Sequence, residues 1–326
     1  MQHPAFNPRR LGHANLFVGD LEKSVAFYSA VAGIQLVRRE PGIDAAFHSN
    51  GNTHHDVGLI QCKDGPRLGI GGFVQPSSFR GQYPGLNHFG WEMNSEADLI
   101  GAVSRAEEAS VRIVNYANHQ ISHSAYVPDP EGNYHEFYAD TVEDWRTIFN
   151  LEREELVSEF WDWQKSGAGR PPIHPPADQR SVPDAIFHPK RISHATLVVG
   201  DFDKASRFFR FVGGMTVDAH GDGVASVHGS ASSMDLLLVS ARFGQQPGLL
   251  GLSFLIEEDS ALERSHAEAG RRGQPLVAAS ESAAKRSVVV RDPDGLLIEF
   301  YCPRSASLSL PDPRKASAEA HWCLAA

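Results

Sequence analysis

Residues 12–28, GHANLFVGDLEKSVAFY, occur a second time as residues 193–209, SHATLVVGDFDKASRFF, with eight of the seventeen positions identical. Residues 127–138, VPDPEGNYHEFY, likewise return as residues 290–301, VRDPDGLLIEFY. Both pairs stand in the same order along the chain, and motifs that recur in the same order are the signature of a repeated structural unit. The sequence therefore predicts two copies of one domain.

The repeat divides the chain of 326 residues into three parts. We expect an N-terminal domain over residues 1–140, a connector over residues 141–188 and a C-terminal domain over residues 189–326. Residues 143–165 of the connector are predicted as a helix, followed by a Pro-rich stretch. That helix would carry an aromatic face, which we expect to pack between domains or subunits of a homo-oligomer: Trp145, Phe149, Phe160, Trp161 and Trp163.

Each copy begins with a short apolar strand and an amphipathic helix. An aspartate precedes each helix as a predicted cap, Asp20 in one copy and Asp201 in the other. A second strand and helix begin at Leu86 and at Leu250, and Asp-Pro-x-Gly turns precede the last strand of each copy. The chain thus reads as four β-α-β modules.

Composition narrows the function. The hydrophobic share of 41% and charged share of 21% are ordinary for a globular protein, and the formal net charge of −10 comes without any basic run. Nucleic acid and anionic membranes are therefore not expected as partners. Cys62, Cys302 and Cys323 are scattered, which favours a reducing cytoplasm, and residues 1–10 contain no apolar stretch typical of a signal peptide.

Sixteen histidines are an unusual number, and histidine is the commonest metal ligand. His13 falls on the first strand of module one, His88 on the first strand of module two, and Glu136 on the last strand of module two. A lone strand histidine is more often a core residue than a ligand, but equivalent positions in paired modules favour ligation. Two histidines and a carboxylate form the facial triad typical of non-haem iron(II), which leaves positions open for dioxygen and substrate.

The motifs HHDVGLI (residues 54–60), LNHFGWEM (86–93) and NHQISHSAYVPDPEGNYHEFY (118–138) resemble, in this order, those of the type I extradiol catechol dioxygenases of the vicinal oxygen chelate superfamily. The resemblance implies an α+β fold of four βαβββ modules paired into two similar domains. It also implies ring cleavage of a catechol-type aromatic diol by O2, with Fe(II), or Mn(II) in its place, as cofactor.

Position in those motifs implies roles for further residues. His13, His88 and Glu136 match the metal ligands. The resemblance assigns the acid/base role to His55, substrate-oxygen contacts to His119 and Tyr126, and a place in the same loop to His123. His54 and His55 are adjacent, so strand alternation predicts that only one of them faces the cavity.

The second copy departs from the family pattern. His194 aligns with His13 and Glu299 with Glu136, but Gly251 aligns with His88, and a glycine cannot bind a metal. Met234 and Val289 likewise replace His55 and Tyr126. We therefore expect the metal in the N-terminal domain and a degenerate site in the C-terminal domain. Eight further histidines are predicted as surface or loop residues, with His135 turned outward by alternation: His48, His135, His174, His188, His220, His228, His266 and His321.

Three other functions stay open for a chain of this type. A glyoxalase-like isomerase or lyase would need a fourth ligand, usually a carboxylate, and residues 57–63, VGLIQCK, contain none. A thiol-transfer antibiotic-resistance enzyme of the same superfamily shares the metal triad, but it lacks the equivalents of His55, His119 and Tyr126. A non-catalytic small-molecule-binding protein needs no metal at all.

Overall fold

The computed structural model describes residues 4–40, 42–69, 72–75, 80–152, 158–174 and 177–305, so His321 and Cys323 lie outside the described residues. Two mixed sheets form its framework, and helices cover one face of each. No helix in these ranges is both long and apolar enough to cross a lipid bilayer.

The described residues of the N-terminal half form nine strands in the order β2-β3-β4-β1-β5-β8-β7-β6-β9. Its first module is β1 (Arg10–Val18), α1 (Leu21–Ala30), β2 (Gln35–Glu40), β3 (Ala45–Ser49) and β4 (Val57–Gln61). Its second module is β5 (Gly85–Glu92), α2 (Glu96–Glu108), β6 (Asn115–Asn118), β7 (Ser122–Pro128) and β8 (Tyr134–Asp140).

Up to residue 305, where the description ends, the C-terminal half repeats this arrangement in eight strands, ordered β11-β12-β13-β10-β14-β17-β16-β15. Its first module is β10 (Arg191–Val199), α4 (Phe202–Arg207), β11 (Thr216–Ala219), β12 (Val224–His228) and β13 (Leu236–Ser240). Its second module is β14 (Gly248–Leu255), α5 (Asp259–Arg271), β15 (Ala278–Glu281), β16 (Lys285–Arg291) and β17 (Leu297–Pro303). The predicted fold of four βαβββ modules is thereby confirmed.

The predicted caps are present. Asp20 accepts a hydrogen bond from the backbone N–H of Lys23 and Asp201 from that of Lys204, each satisfying a free donor of the first helical turn. The helix of the second copy differs from that of the first because it passes after six residues into a π-helical turn, Phe208–Val212.

The single helix predicted over residues 143–165 is wrong. The described part of this segment contains a four-residue helix, α3 (Arg146–Phe149), a two-residue strand, β9 (Glu159–Phe160), and a 3-10 turn, Trp163–Lys165. β9 pairs with β6 at the edge of the first sheet. Backbone pairing with that free edge overrides the local helical pattern.

Two segments tie the halves together reciprocally. The segment before β1 donates backbone hydrogen bonds from Phe6 to the carbonyl of Val212, and the segment before β10 donates from Phe187 to that of Val31. Gly214 and Gly33 allow these approaches, because a Cβ there would lie 1.9 and 1.8 Å from the carbonyl oxygens of Phe6 and Phe187. Both glycines also have positive φ, which disfavours any other residue.

Two buried aspartates make a second reciprocal link. Asp56 accepts hydrogen bonds from the backbone of Asn50 at 2.8 Å and of Ile192, in the other half, at 3.0 Å. Asp235 accepts from Gly229 at 2.8 Å and from Leu11, again across the halves, at 2.9 Å. Each half therefore fixes the first residues of the other half's leading strand.

Two histidines predicted as surface or loop residues are fully buried, so this expectation is wrong for His48 and His135. Alternation does turn His135 away from Glu136, but that face of β8 is covered. The Nε1–H of Trp91 donates to its Nδ1 at 2.9 Å, and the ring packs 5.0 Å from that of Phe208 in the other half.

Candidate functional site

One row of residues crosses four neighbouring strands of the N-terminal sheet. Tyr126 on β7 lies opposite Glu136 on β8, Glu136 opposite Gly90 on β5, and Gly90 opposite His13 on β1. Gly90 has no side chain between its two neighbours, and a Cβ there would lie 2.1 Å from Nε2 of His13. The glycine gap therefore lets the imidazole of His13 reach the carboxylate of Glu136.

His88 stands two residues before Gly90, on the same face of β5. Nε2 of His13 lies 2.8 Å, and Nε2 of His88 3.0 Å, from Oε2 of Glu136. All three side chains are almost completely buried. Three ligand atoms of metal-binding type thus converge within 4.8 Å of one another.

This donor set fits a divalent metal. Nδ1 of His88 lies 2.6 Å from Oδ1 of Asn87, an acceptor, so it carries the proton and Nε2 keeps its lone pair. That Nε2 has no hydrogen bond of good geometry although it is buried beside a carboxylate. A buried lone pair aimed at a carboxylate oxygen is a poor hydrogen-bonding arrangement and a good metal-binding one.

The protonation states also suit metal binding. Burial lowers the pKa of His13 to about 4. Burial alone would raise the pKa of Glu136, but its contacts with His13 and His88 hold it well below the usual range. At neutral pH the site therefore offers the neutral imidazole of His13 and the carboxylate anion of Glu136, the forms that bind metals.

Both histidines of the HH pair face the cavity, so the expectation that only one does is wrong. His54 and His55 lie in an irregular segment between β3 and β4, where strand alternation does not apply. The His55 ring stacks on His13 at 4.0 Å, and its Nε2 lies 3.0 Å from Oδ1 of Asn15. His54 instead pairs through Nδ1 with Asp140 at 3.1 Å.

His119 and Tyr126 lie together on the side of Glu136 that faces away from His13. Nε2 of His119 is 3.1 Å from the Tyr126 hydroxyl and 3.8 Å from Oε1 of Glu136. Burial, and then the charge of Glu136, raise the pKa of Tyr126 well above its ordinary value. The tyrosine therefore stays a hydroxyl that can donate a hydrogen bond at neutral pH.

His123 lies outside this cluster. Its side chain projects from the other face of β7, with Nδ1 2.6 Å from Oε1 of Glu96 and the ring stacked 4.8 Å from Trp161. It does not line the cavity.

The cluster forms one end of a partly enclosed cavity. Sequence reasoning missed two kinds of lining residue: the charged pair Arg38 and Glu40, and part of the connector, which was expected to serve packing alone. The Asn-Gly pair at residues 50–51 is a common turn signal and could have indicated that the HH pair lies in a loop. No signal in the sequence indicated that the connector contributes to the cavity. The apolar wall consists of Ile43, Phe47, Ile60, Ile121, Ile148 and Phe149.

The C-terminal sheet contains the equivalent row of positions, but different residue types stand in it. Val289, Glu299, Ser253 and His194 lie opposite one another across β16, β17, β14 and β10. The hydroxyl of Ser253 donates to Glu299 at 2.6 Å where the first half has only a glycine, and Nε2 of His194 lies 3.9 Å from that carboxylate.

In the C-terminal half the side chain of Lys285 contacts Glu299, the residue equivalent to Glu136. Nζ of Lys285 donates to Oε1 of Glu299 at 2.7 Å, and the Ser287 hydroxyl donates to the same atom at 2.7 Å. Because the ammonium already neutralises Glu299, the carboxylate has little to offer a metal. Among the described residues, both groups of three potential metal ligands lie in the N-terminal half.

Fold and sequence together define the class of protein. A sequence model of the Glyoxalase/Bleomycin resistance protein/Dioxygenase superfamily matches residues 10–137 and 191–300. These two segments make up well over half of the chain, which therefore belongs to this superfamily. The resemblance drawn from the motifs is confirmed.

Individual relatives are similar at lower identity. A catechol-2,3-dioxygenase of Bacillus subtilis (strain 168) is 25% identical over 231 residues, covering 68% of this chain and 70% of that protein. The crystal structure of the 2,3-dioxygenase LapB from Pseudomonas sp. KL28 covers 91% of this chain and 93% of its own, with a TM-score of 0.63 and 15% identity. The Mn(II)-bound glyoxalase from Novosphingobium aromaticivorans gives the same TM-score and identity over 92% of this chain and 83% of its own. At such identities the solved structures establish the fold alone.

Proposed function

We propose that this protein is an extradiol dioxygenase that cleaves the ring of a catechol-type aromatic diol. His13, His88 and Glu136 would hold one divalent metal, Fe(II) or Mn(II), in the N-terminal half. The observation that carries the proposal is the convergence of three ligand atoms at the end of a largely apolar cavity. The similarity to a catechol-2,3-dioxygenase supports the same choice.

The bound metal would supply a Lewis-acidic centre with open positions for the diol oxygens and for O2. The chain itself handles the protons. Nδ1 of His55 is buried without a hydrogen-bond partner, while Nε2 donates to Asn15. The free nitrogen can accept a proton from a diol hydroxyl and return it, a role that typically contributes roughly 10²- to 10⁴-fold to the rate.

His119 and Tyr126 would orient the substrate oxygens. Their mutual contact of 3.1 Å holds both polar groups on one side of Glu136. A second contact, from Nδ1 of His119 to the hydroxyl of Ser158 at 3.0 Å, fixes the imidazole plane. Because the tyrosine keeps its proton at neutral pH, it can donate to a substrate oxygen that has lost its own.

A glyoxalase-like reaction receives less support. Such a site would need a further carboxylate beside the triad, and in the described part of the chain Glu136 is the sole carboxylate grouped with His13 and His88. A binding protein without metal leaves the lone pair of His88 unexplained.

The deciding experiment loads the protein with Fe(II) or Mn(II) without O2, measures bound metal, and then supplies a panel of catechols in an oxygen electrode. We expect O2 consumption and a yellow ring-opened semialdehyde that contains both oxygen atoms of ¹⁸O2. A muconic acid product, or no O2 uptake by the metal-loaded protein with any catechol, would contradict the proposal.

A further inference from the structure

A charged pair on β2 stands between the cavity and the protein surface. Arg38 and Glu40 line the cavity that contains the candidate metal ligands, and together with Ile43 and Phe149 they also line a neighbouring surface cleft. A β-bulge between Leu36 and Arg38 shifts the strand register just before the pair. Bulges of this kind redirect side chains, often beside functional sites.

The Arg38 guanidinium has few partners for a buried cation. Its side chain is 5% exposed, yet its polar contacts among the described residues are a 3.4 Å hydrogen bond to the carbonyl of Phe149 and a 3.8 Å approach to Glu40. Its guanidinium carbon also lies 5.3 Å from the centre of the Phe149 ring. A guanidinium has five N–H donors, so these contacts leave several donors for water or a ligand in the cavity.

Arg67, which lines the same cavity, shows the contrast. It donates to the backbone carbonyls of Arg80 at 2.7 Å, Gly81 at 3.1 Å and Gln61 at 3.2 Å. These bonds give Arg67 a structural role in the loop after β4. Arg38 lacks such a set of carbonyl acceptors, and because it lines the cavity, its remaining donors can bind a ligand there.

We infer that Arg38 binds an anionic substituent, a carboxylate, on the aromatic diol. This inference rests on the proposed function and adds a substrate class to it. The diol would face the metal ligands, the ring would lie against the apolar wall, and the carboxylate would reach the mouth of the cavity. A planar guanidinium matches a carboxylate in two parallel hydrogen bonds.

Glu40 is compatible with such a ligand. Burial raises its pKa to about 7, although the nearby charge of Arg38 works in the opposite direction. A carboxyl group with this pKa can take up a proton when a second anion approaches Arg38. The carboxylate of the substrate can then replace that of Glu40 as the partner of the guanidinium.

The test compares 3,4-dihydroxyphenylacetate with its carboxamide, which has nearly the same shape but no charge. Arg38→Met should lower the preference for the acid, measured as a ratio of kcat/KM values, by roughly 10- to 100-fold, the range of one lost charge-assisted hydrogen bond. Glu40→Gln should raise that preference. Arg39→Met is the matched control, because Arg39 points outward and pairs with Glu22 at 2.7 Å.

Binding without O2 separates this inference from the proposed function. Calorimetry of the metal-loaded wild type and Arg38→Met with phenylacetate and phenylacetamide should show the same loss of acid preference. If that loss occurs but no catechol is consumed, the proposed function fails and the anion site stands. If catechols are consumed but Arg38→Met keeps the wild-type preference, or loses acid and amide equally, the inference on Arg38 is overturned. Arg38→Lys, which retains the charge, should keep part of the preference if the methionine variant does not fold.

Discussion

The carboxylate of Asp235 accepts a hydrogen bond from the backbone N–H of Leu11 at 2.9 Å, although 224 residues separate them in the chain. Leu11 stands two residues before the candidate ligand His13. The C-terminal half thus helps to hold the strand that contains the first residue of the candidate metal site.

Asp235→Ala should therefore weaken both stability and metal retention. Two buried backbone N–H groups, of Leu11 and Gly229, would lose their acceptor, at a cost of roughly 2 to 4 kcal/mol in the free energy of unfolding. Urea titration and metal analysis after dialysis against a weak chelator measure the two effects. Asp222→Ala, at an exposed site in the same half, should show neither.

Gly90→Ala should abolish metal binding while the fold survives. The added Cβ would occupy the space of the His13 imidazole, and local overpacking of this kind costs roughly 1 to 3 kcal/mol. Ser253→Gly, the reverse change at the equivalent place in the other row, should leave metal content unchanged. Metal analysis and circular dichroism of both variants give the answer, and a Gly90→Ala protein with full metal content would refute this account of the row.

Metal content should distinguish the two leading-strand histidines. His13→Ala removes a ligand, so we expect loss of the metal, whereas His194→Ala touches only the remnant row and should retain one metal per chain. Elemental analysis of the purified proteins suffices. The opposite result would mean that the C-terminal half holds the metal.

His55→Ala should still load metal and bind catechol, because none of the three ligands is changed. Turnover should fall by roughly 10²- to 10⁴-fold, the range for a lost general acid/base group. His54→Ala is the necessary comparison, since both side chains reach the cavity. Wild-type turnover by His55→Ala together with a slow His54→Ala would transfer the role to the His54–Asp140 pair.

Glu40 should make stability depend on pH. Burial raises its folded-state pKa from 4.5 to about 7, so the folded protein holds a proton that the unfolded chain releases. Its contribution is fully favourable below about pH 4.5 and is lost as the pH rises towards 7 and above, by roughly 3 kcal/mol at most. Urea unfolding at pH 5 and pH 8 should show a smaller difference for Glu40→Gln than for the wild type; an equal difference would contradict the assignment.

The sequence was sufficient for the repeat, the module order and the candidate triad, because each depends on short motifs with their own chemistry. The strand pairing agrees with the sequence alignment of Gly251 with His88. Gly251 lies opposite Thr196 and His88 lies opposite Asn15, and Thr196 and Asn15 are themselves equivalent positions of the two copies. Strand pairing of this kind preserves sequence order, so the motif spacing contained it.

Other features depended on contacts far apart in the chain. The prediction from strand alternation was wrong for His54 because its segment is a bend and not a strand. The helix predicted for the connector was wrong because β9 pairs with the edge strand β6. The buried state of His135 required a neighbour, Phe208, from the other half. No window of sequence contains such information.

The exchanged segments before β1 and β10 imply that the chain folds and unfolds as one cooperative unit. Phe6 and Phe187 each bind the half to which their own strand does not belong. A protease cut in the connector before Phe187 would leave these two hydrogen bonds between the halves in place, so the two fragments should remain associated under native conditions. Deleting the C-terminal half, by contrast, would remove the hydrogen-bond acceptors of the Phe6 and Leu11 backbone N–H groups, so the N-terminal half should lose the support of its first strand.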